Sequence, residues 1–108
     1  MKNLEKNNAP QEFIIQRHGD KSLRFKGWLV HQATYRGLMY DGEIEYVLYQ
    51  TTGGNFVVQE WEWNRAGCND LKAKICKSET EVTKFLGQHK YAHKFYAECE
   101  IDNSVCVE

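Results

Sequence analysis

Apolar and polar side chains alternate over most of the stretch from Ser22 to Lys77. Leu23, Phe25 and Leu29 fall on one side of an extended chain, and Arg24, Lys26 and Trp28 on the other. Ile44, Tyr46 and Leu48 alternate with Glu43, Glu45, Val47 and Tyr49; Leu71, Ala73 and Ile75 alternate with Lys72 and Lys74. A period of two predicts strands. Phe13 to Gln16 is a shorter apolar run that ends at a turn, His18-Gly19-Asp20.

Thr52-Gly53-Gly54-Asn55 predicts a tight hairpin, because glycines accept the positive φ of such a loop. Folding about Gly53-Gly54 sets Tyr46 opposite Trp61, Ile44 opposite Trp63 and Gln50 opposite Val57. All then share one apolar face, with both tryptophans in the core. On the other face Glu45 meets Glu62, with Glu60 beside them, and opposed like charges are destabilising. A meander in chain order answers this, placing Lys72 and Lys74 on one side of the acids and Arg24 and Lys26 on the other. A turn at Arg36-Gly37 would pair Leu29 with Ile44 and Gly27 with Tyr46, whose ring would cover the bare glycine.

The pattern changes to helical spacing at Ser78. Ser78 followed by Glu81 is a capping box; Val82, Phe85 and Leu86 follow at helical intervals, and Gly87 suits a stop. A second helix is predicted from about His89 to Glu98, with Ala92, Phe95, Tyr96 and Cys99 as its apolar stripe. Residues 101–108 read equally as a terminal strand or a tail. The expected fold is α+β: an antiparallel β-meander of four to five strands, followed by one or two C-terminal helices packed on the Ile44/Tyr46/Trp61/Trp63 face. Residues 1–11 are polar, end in Ala9-Pro10-Gln11, and read as a flexible tail; residues 12–108 read as one domain.

Composition narrows the function classes. The chain has 108 residues, 42% hydrophobic, 13% aromatic and 27% charged, with a formal net charge of −1. That suffices for one core. The balanced charge argues against a nucleic-acid partner held by its phosphates. No apolar run reaches the roughly 18 residues that span a bilayer, and the start lacks the apolar core of a signal peptide. The expectation is therefore a cytoplasmic protein without a membrane partner, its four cysteines (Cys68, Cys76, Cys99, Cys106) reduced.

Candidate chemistry is sparse. Cys76, twelve residues, then His89-x-x-x-His93 matches the second half of a two-cysteine, two-histidine zinc finger. The first half fails, since Cys68 precedes Cys76 by more than the two to four intervening residues required. His89 and His93 share a helix face and would need a third ligand, so the alternative function is a zinc protein or small enzyme using Cys76, His89 and His93. Three carboxylates (Glu45, Glu60, Glu62) could hold a hard cation; the lysine ladder is the plainer account of them. Cys68 sits in a polar loop with no base fixed beside it, and Gly53-Gly54 leads into no helix, as a phosphate loop would. No cofactor is expected.

Arg24-Phe25-Lys26-Gly27-Trp28-Leu29 is similar to the basic-Phe-x-Gly-x-Leu strand of the small bacterial EXLDI family. Tyr46-Val47-Leu48-Tyr49-Gln50-Thr51, followed by Gly-Gly-Asn-Phe-Val-Val, resembles that family's Tyr-x-Thr-x-x-Gly hairpin. Glu98-Cys99-Glu100-Ile101-Asp102 stands where the naming motif has Leu-Asp-Ile after Glu-x. The resemblance implies a strand-rich sheet followed by helices over residues 22–102, and no activity.

The expected function is a non-enzymatic protein-interaction module, a regulator or inhibitor of a partner, or a self-associating chain. Its expected contact residues are Trp28, Tyr35, Leu38, Met39, Tyr40, Tyr49 and Phe56. Trp28, Tyr49 and Phe56 share the parity of the charged face, and with Val47 and Val58 they make an apolar strip at the Gly-Gly end. The strip is either exposed or covered by the N-terminal strand or tail.

Overall fold

The computed structural model describes residues 9–36, 42–64 and 69–104. Five strands precede two helices: β1 (Gln11–Ile15), β2 (Leu23–Arg36), β3 (Gly42–Thr51), β4 (Phe56–Asn64), β5 (Asn69–Cys76), α1 (Glu79–Leu86) and α2 (Lys90–Cys99). The strands form one antiparallel meander in the order β1-β2-β3-β4-β5. The expected α+β class and strand order are observed. Gln11, assigned to the tail, already belongs to β1.

The register of β3 on β4 differs from expectation by one residue. Gln50 pairs with Phe56, Tyr46 with Glu60, Glu45 with Trp61, and Ile44 with Glu62. The loop explains this. Thr51 N–H donates to Asn55 O at 2.8 Å and Gly54 N–H donates to Thr51 O at 3.0 Å, so the loop has three residues rather than two. Gly54 closes it in the left-handed region at φ 86°, as three-residue hairpins require. Because side chains alternate, a one-residue slip turns every β4 side chain to the opposite face. Phe56 and Val58 therefore join Tyr46 and Leu48 under the helices. Trp61 and Trp63 leave that face, and Glu45 and Glu62 are not opposed.

The β2–β3 register also departs from expectation. Gly27 pairs with Thr51 and Leu29 with Tyr49; beyond an irregularity between Leu29 and His31, Ala33 pairs with Tyr46. The extra residue, Val30, is the mark of a β-bulge. Gly27 is therefore covered not by the Tyr46 ring but by backbone. A Cβ there would stand 2.0 Å from Gln50 O, and Thr52 N–H donates to Lys26 O at 2.9 Å. This close approach marks a corner, where a strand bends sharply and only glycine fits.

The bend folds the β1–β2 hairpin over the inner sheet face. Residues 23–26 run past the end of β3, yet the Phe25 ring lies 5.4 Å and the Phe13 ring 4.8 Å from that of Tyr49. The turn after β1 reaches β5: His18 N–H donates to Leu71 O at 2.8 Å, and Leu71 N–H donates to His18 Nδ1 at 3.1 Å. The sheet curls around Ile15, Val47, Tyr49, Val57 and Ala73, with Phe13, Leu23 and Phe25 packed against them. The N-terminal strand thus covers Tyr49 and Val47 of the expected strip. Arg24 and Lys26 pair with β1, opposite Ile14 and Glu12, and do not flank the glutamates.

The outer face carries the helices. Ser78 Oγ accepts from Glu81 N–H at 3.3 Å, and the Glu81 carboxylate accepts from Lys77 N–H, one residue before the cap. α1 stops at Gly87 (φ 91°). α2 ends with Glu100 left-handed, Glu100 N–H donating to Ala97 O and Ile101 N–H to Tyr96 O, a Schellman pattern. The stripe Ala92, Phe95, Tyr96 and Cys99 is buried as expected, against Tyr46, Leu48, Val58, Cys76 and Val82. Ile101 is buried in the same core without belonging to a strand. No helix among the described residues is long and apolar enough to cross a membrane.

Gly27→Ala should lower unfolding stability by about 3 kcal/mol, since backbone atoms must move to admit the Cβ. Gly53→Ala, whose Cβ would meet nothing nearer than Thr51 Oγ1 at 3.8 Å, should stay within about 1 kcal/mol of wild type. Urea denaturation of the two variants checks the corner.

Candidate functional site

The slip in register creates a mixed aromatic and polar surface on the inner face. At the end of the sheet away from the Gly53-Gly54 loop, Thr34, Glu45, Trp61 and Leu71 form one cross-strand row, and Arg36, Glu43, Trp63 and Asn69 the next. Each tryptophan therefore stands beside a glutamate. The two rings are 4.8 Å apart at an interplanar angle of 51°. Trp61 is 38% exposed, unusual for the largest apolar side chain, and Trp63 is half-buried. An exposed tryptophan is more informative than an exposed leucine, because aromatic surface concentrates at contact sites.

The two glutamates differ in their partners. Glu43 is hydrogen-bonded and ion-paired to the Arg36 guanidinium. Glu45, half-buried, accepts at Oε2 from Gln32 Nε2 at 3.2 Å and from Thr34 Oγ1 at 3.3 Å. Both donors are neutral, and among the described residues no cation pairs with it. Those bonds hold the carboxylate in place and, among the described residues, bring no positive charge to it.

A second set of polar groups lies on the outer face, where α2 meets the sheet. Tyr35 Oη donates to Glu98 Oε1 at 2.6 Å, and His31 Nε2 lies 3.0 Å from Glu98 Oε2. Tyr35 stacks on Tyr91 at 5.8 Å, and Lys94 Nζ lies 5.8 Å from the Tyr35 ring centre. The hydrogen bond from Tyr35, then that from His31, holds the Glu98 carboxyl below its ordinary range. Tyr46 is fully buried, and its hydroxyl meets His89 Nε2 at 2.9 Å. His89 Nδ1 accepts from Ala92 N–H as the cap of α2, which leaves Nε2 to carry the proton toward Tyr46. Tyr96 Oη faces Thr83 O at 3.2 Å and Gly87 O at 2.6 Å.

These hydroxyls are built to hold the fold, not to release protons. Burial drives the Tyr46 and Tyr35 phenols far above their usual range and pushes Tyr96 up to about 12. Glu60 is the strained member. It pairs across the strands with Tyr46 and Lys72. Burial raises its carboxyl, Lys72 lowers it in part, and Glu62 and Asp70 raise it further. Of the expected ladder, Lys72 does stand opposite Glu60, but its ammonium lies 3.4 Å from Asp70, which stands opposite Glu62.

The residues proposed from sequence are scattered. Tyr35 and Phe56 are buried in the outer core and Tyr49 in the inner one. Trp28, opposite Gln50, is half-buried. Leu38, Met39, Tyr40 and Cys68 lie outside the described residues. Cys76 is a buried free thiol, held up by that burial. His89 caps α2 against Tyr46, and His93 Nε2 bonds Gln88 Oε1 at 2.9 Å. Among the described residues, no three of His, Cys, Asp and Glu are gathered to hold a metal ion.

Sequence reasoning missed Trp61, Trp63 and Glu45 as a surface because it placed the tryptophans in the core. One signal was present: Thr51-Thr52-Gly53-Gly54-Asn55 has its second glycine third in the loop, where a three-residue hairpin needs it. Nothing in the sequence pointed to Glu98 and His31, which are separated by 67 positions in the chain. Set against family models, curated proteins and solved structures, the chain has no match.

Glu60 yields a signed pH prediction. Its folded-state carboxyl lies above its ordinary range, so folding opposes its ionisation. The protonated acid carries no such cost, which appears as pH rises through the ordinary range of about 4.3 and above. Glu60→Gln, a neutral mimic, should therefore raise the melting temperature at pH 7 and leave it nearly unchanged near pH 3.5. Thermal melts of both proteins across that interval check it.

Proposed function

We propose that this chain is a non-enzymatic protein-interaction module whose contact surface is the end of the inner sheet face centred on Trp61 and Trp63. The observation that carries this reading is the exposure of Trp61, at 38%, in a chain that buries Tyr46, Phe95 and Tyr96 almost completely. A side chain of this size gains most when a partner covers it, and tryptophan is among the residues that dominate contact energies. The strand ends Arg36 and Gly42 border this surface, with Gly42 opposite Asn64 beside Trp63. Leu38, Met39 and Tyr40 lie between them in sequence, outside the described residues. Tyr35, Tyr49 and Phe56 are core residues and lie outside it.

The tyrosines of the outer face favour binding over catalysis, since groups driven away from neutral pKa values are poor acids and bases. A reducing, cytoplasmic setting accords with the buried free thiol Cys76. The test is affinity capture from the native host with immobilised wild type and Trp61→Ala, each first shown to unfold cooperatively. A stoichiometric partner held by wild type and lost from the variant is the expected result. Equal retention by both would remove this surface from consideration.

A further inference from the structure

From the same surface, and resting on the interaction reading above, we infer that Trp61, Trp63 and Glu45 form a receptor for a single basic side chain, a lysine or arginine presented by the partner protein. Three independent features converge. The two indoles are neighbours at i and i+2 on β4, with ring centres 4.8 Å apart and planes inclined by 51°. They therefore form an angled wall rather than a flat stack. The face of an indole attracts a cation through its quadrupole, and tryptophan does so better than tyrosine or phenylalanine. Trp61 keeps part of its indole in solvent, being 38% exposed.

Glu45 supplies the charge. It stands directly opposite Trp61 across β3 and β4. Its Oε2 is oriented by Gln32 and Thr34, which donate hydrogen bonds and no charge. Its neighbour Glu43 shows the contrast, because Arg36 already neutralises it. Within two adjacent rows, one carboxylate is thus paired with Arg36, and the other is positioned beside exposed aromatic surface with no cation on it among the described residues. A partner's ammonium or guanidinium placed over Trp61 would meet both the ring face and the Glu45 carboxylate, each strengthening the other as water leaves.

The neutral side chains around the rows fit the same occupant. Leu71 lies opposite Trp61 on β5, and Asn69 opposite Trp63. Neither competes for the carboxylate, and Leu71 gives apolar contact to the methylene stem of a long basic side chain. An acidic or uncharged polar occupant would leave Glu45 buried against a like charge or without compensation, which the interface would have to offset.

The experiment reads the indole N–H resonances of the full chain by NMR, with Trp28, Trp61 and Trp63 assigned by single Trp→Phe variants. The probes are N-acetyl-lysine amide, N-acetyl-arginine amide and the uncharged N-acetyl-norleucine amide. The basic probes should shift the Trp61 and Trp63 signals saturably and leave Trp28 unmoved. Norleucine should bind about tenfold more weakly or worse. Glu45→Gln keeps an oxygen for Gln32 and Thr34 and should cut the basic probes' affinity to a similar degree. Added salt should weaken their binding to wild type, a readout that needs no variant to fold. Equal shifts from norleucine, no shift at all, or an unchanged response in Glu45→Gln or in high salt would overturn the receptor. A captured partner lost from Trp61→Ala with no basic-probe preference would reject the cation and keep the protein contact. Basic-probe binding with capture unaffected by Trp61→Ala would uphold the receptor and reject the contact reading.

Discussion

The register of the β3–β4 hairpin is the constraint on which the rest of this structure depends. It is set by one glycine, Gly54, held at φ 86° at the end of a three-residue loop. Few other residues take that conformation without cost. With the loop fixed at three residues, Tyr46, Leu48, Phe56 and Val58 share the outer face and meet α1 and α2. Val47, Tyr49 and Val57 share the inner face, and Trp61 and Trp63 share it further along. A two-residue loop would exchange the β4 residues between the two faces.

Both faces of the sheet are apolar at the Gly-Gly end, and the molecule solves this with two different covers. Helices seal the outer face through Phe95, Tyr96 and Val82, with Tyr46 centred 5.3 Å from the Phe95 ring. The middle of the inner face is covered by the sheet's own first hairpin, folded over at Gly27, while Leu29 and Ile75 at its margins stay exposed. Polar groups caught under the helices are satisfied by each other: Tyr35 by Glu98, Tyr46 by His89, Tyr96 by two backbone carbonyls. Among the described residues no buried side-chain nitrogen or oxygen lacks a partner. Glu60 bears the cost of this arrangement, its charge only partly offset by Lys72.

The inner cover does not reach the far end of β4. The hairpin meets β5 at Leu71 and Ala73, through His18 and Arg17, and Trp61 beside Leu71 remains accessible. The proposed contact surface is thus what is left when a short hairpin closes over a longer sheet. It combines an exposed indole with a half-buried carboxylate whose donors among the described residues are neutral. Their adjacency makes a basic partner side chain the fitting occupant.

Much of this was determined by local sequence alone. Alternation fixed the strands, the Ser78 and Glu81 cap and the Gly87 stop fixed α1, and the stripe Ala92, Phe95, Tyr96, Cys99 fixed the buried side of α2. These are short-range effects, settled within a few residues of chain. Which β4 residues met the helices was not, because valine, tryptophan and glutamate alternate there and either face of β4 could be read as apolar. The decision lay in the loop geometry, the bulge at Val30 and the bend at Gly27, each of which gains its effect from a strand far away in sequence. Tertiary structure therefore turned the tryptophans from core into surface, and set Glu45 beside them, since only cross-strand pairing determines which side chains become neighbours.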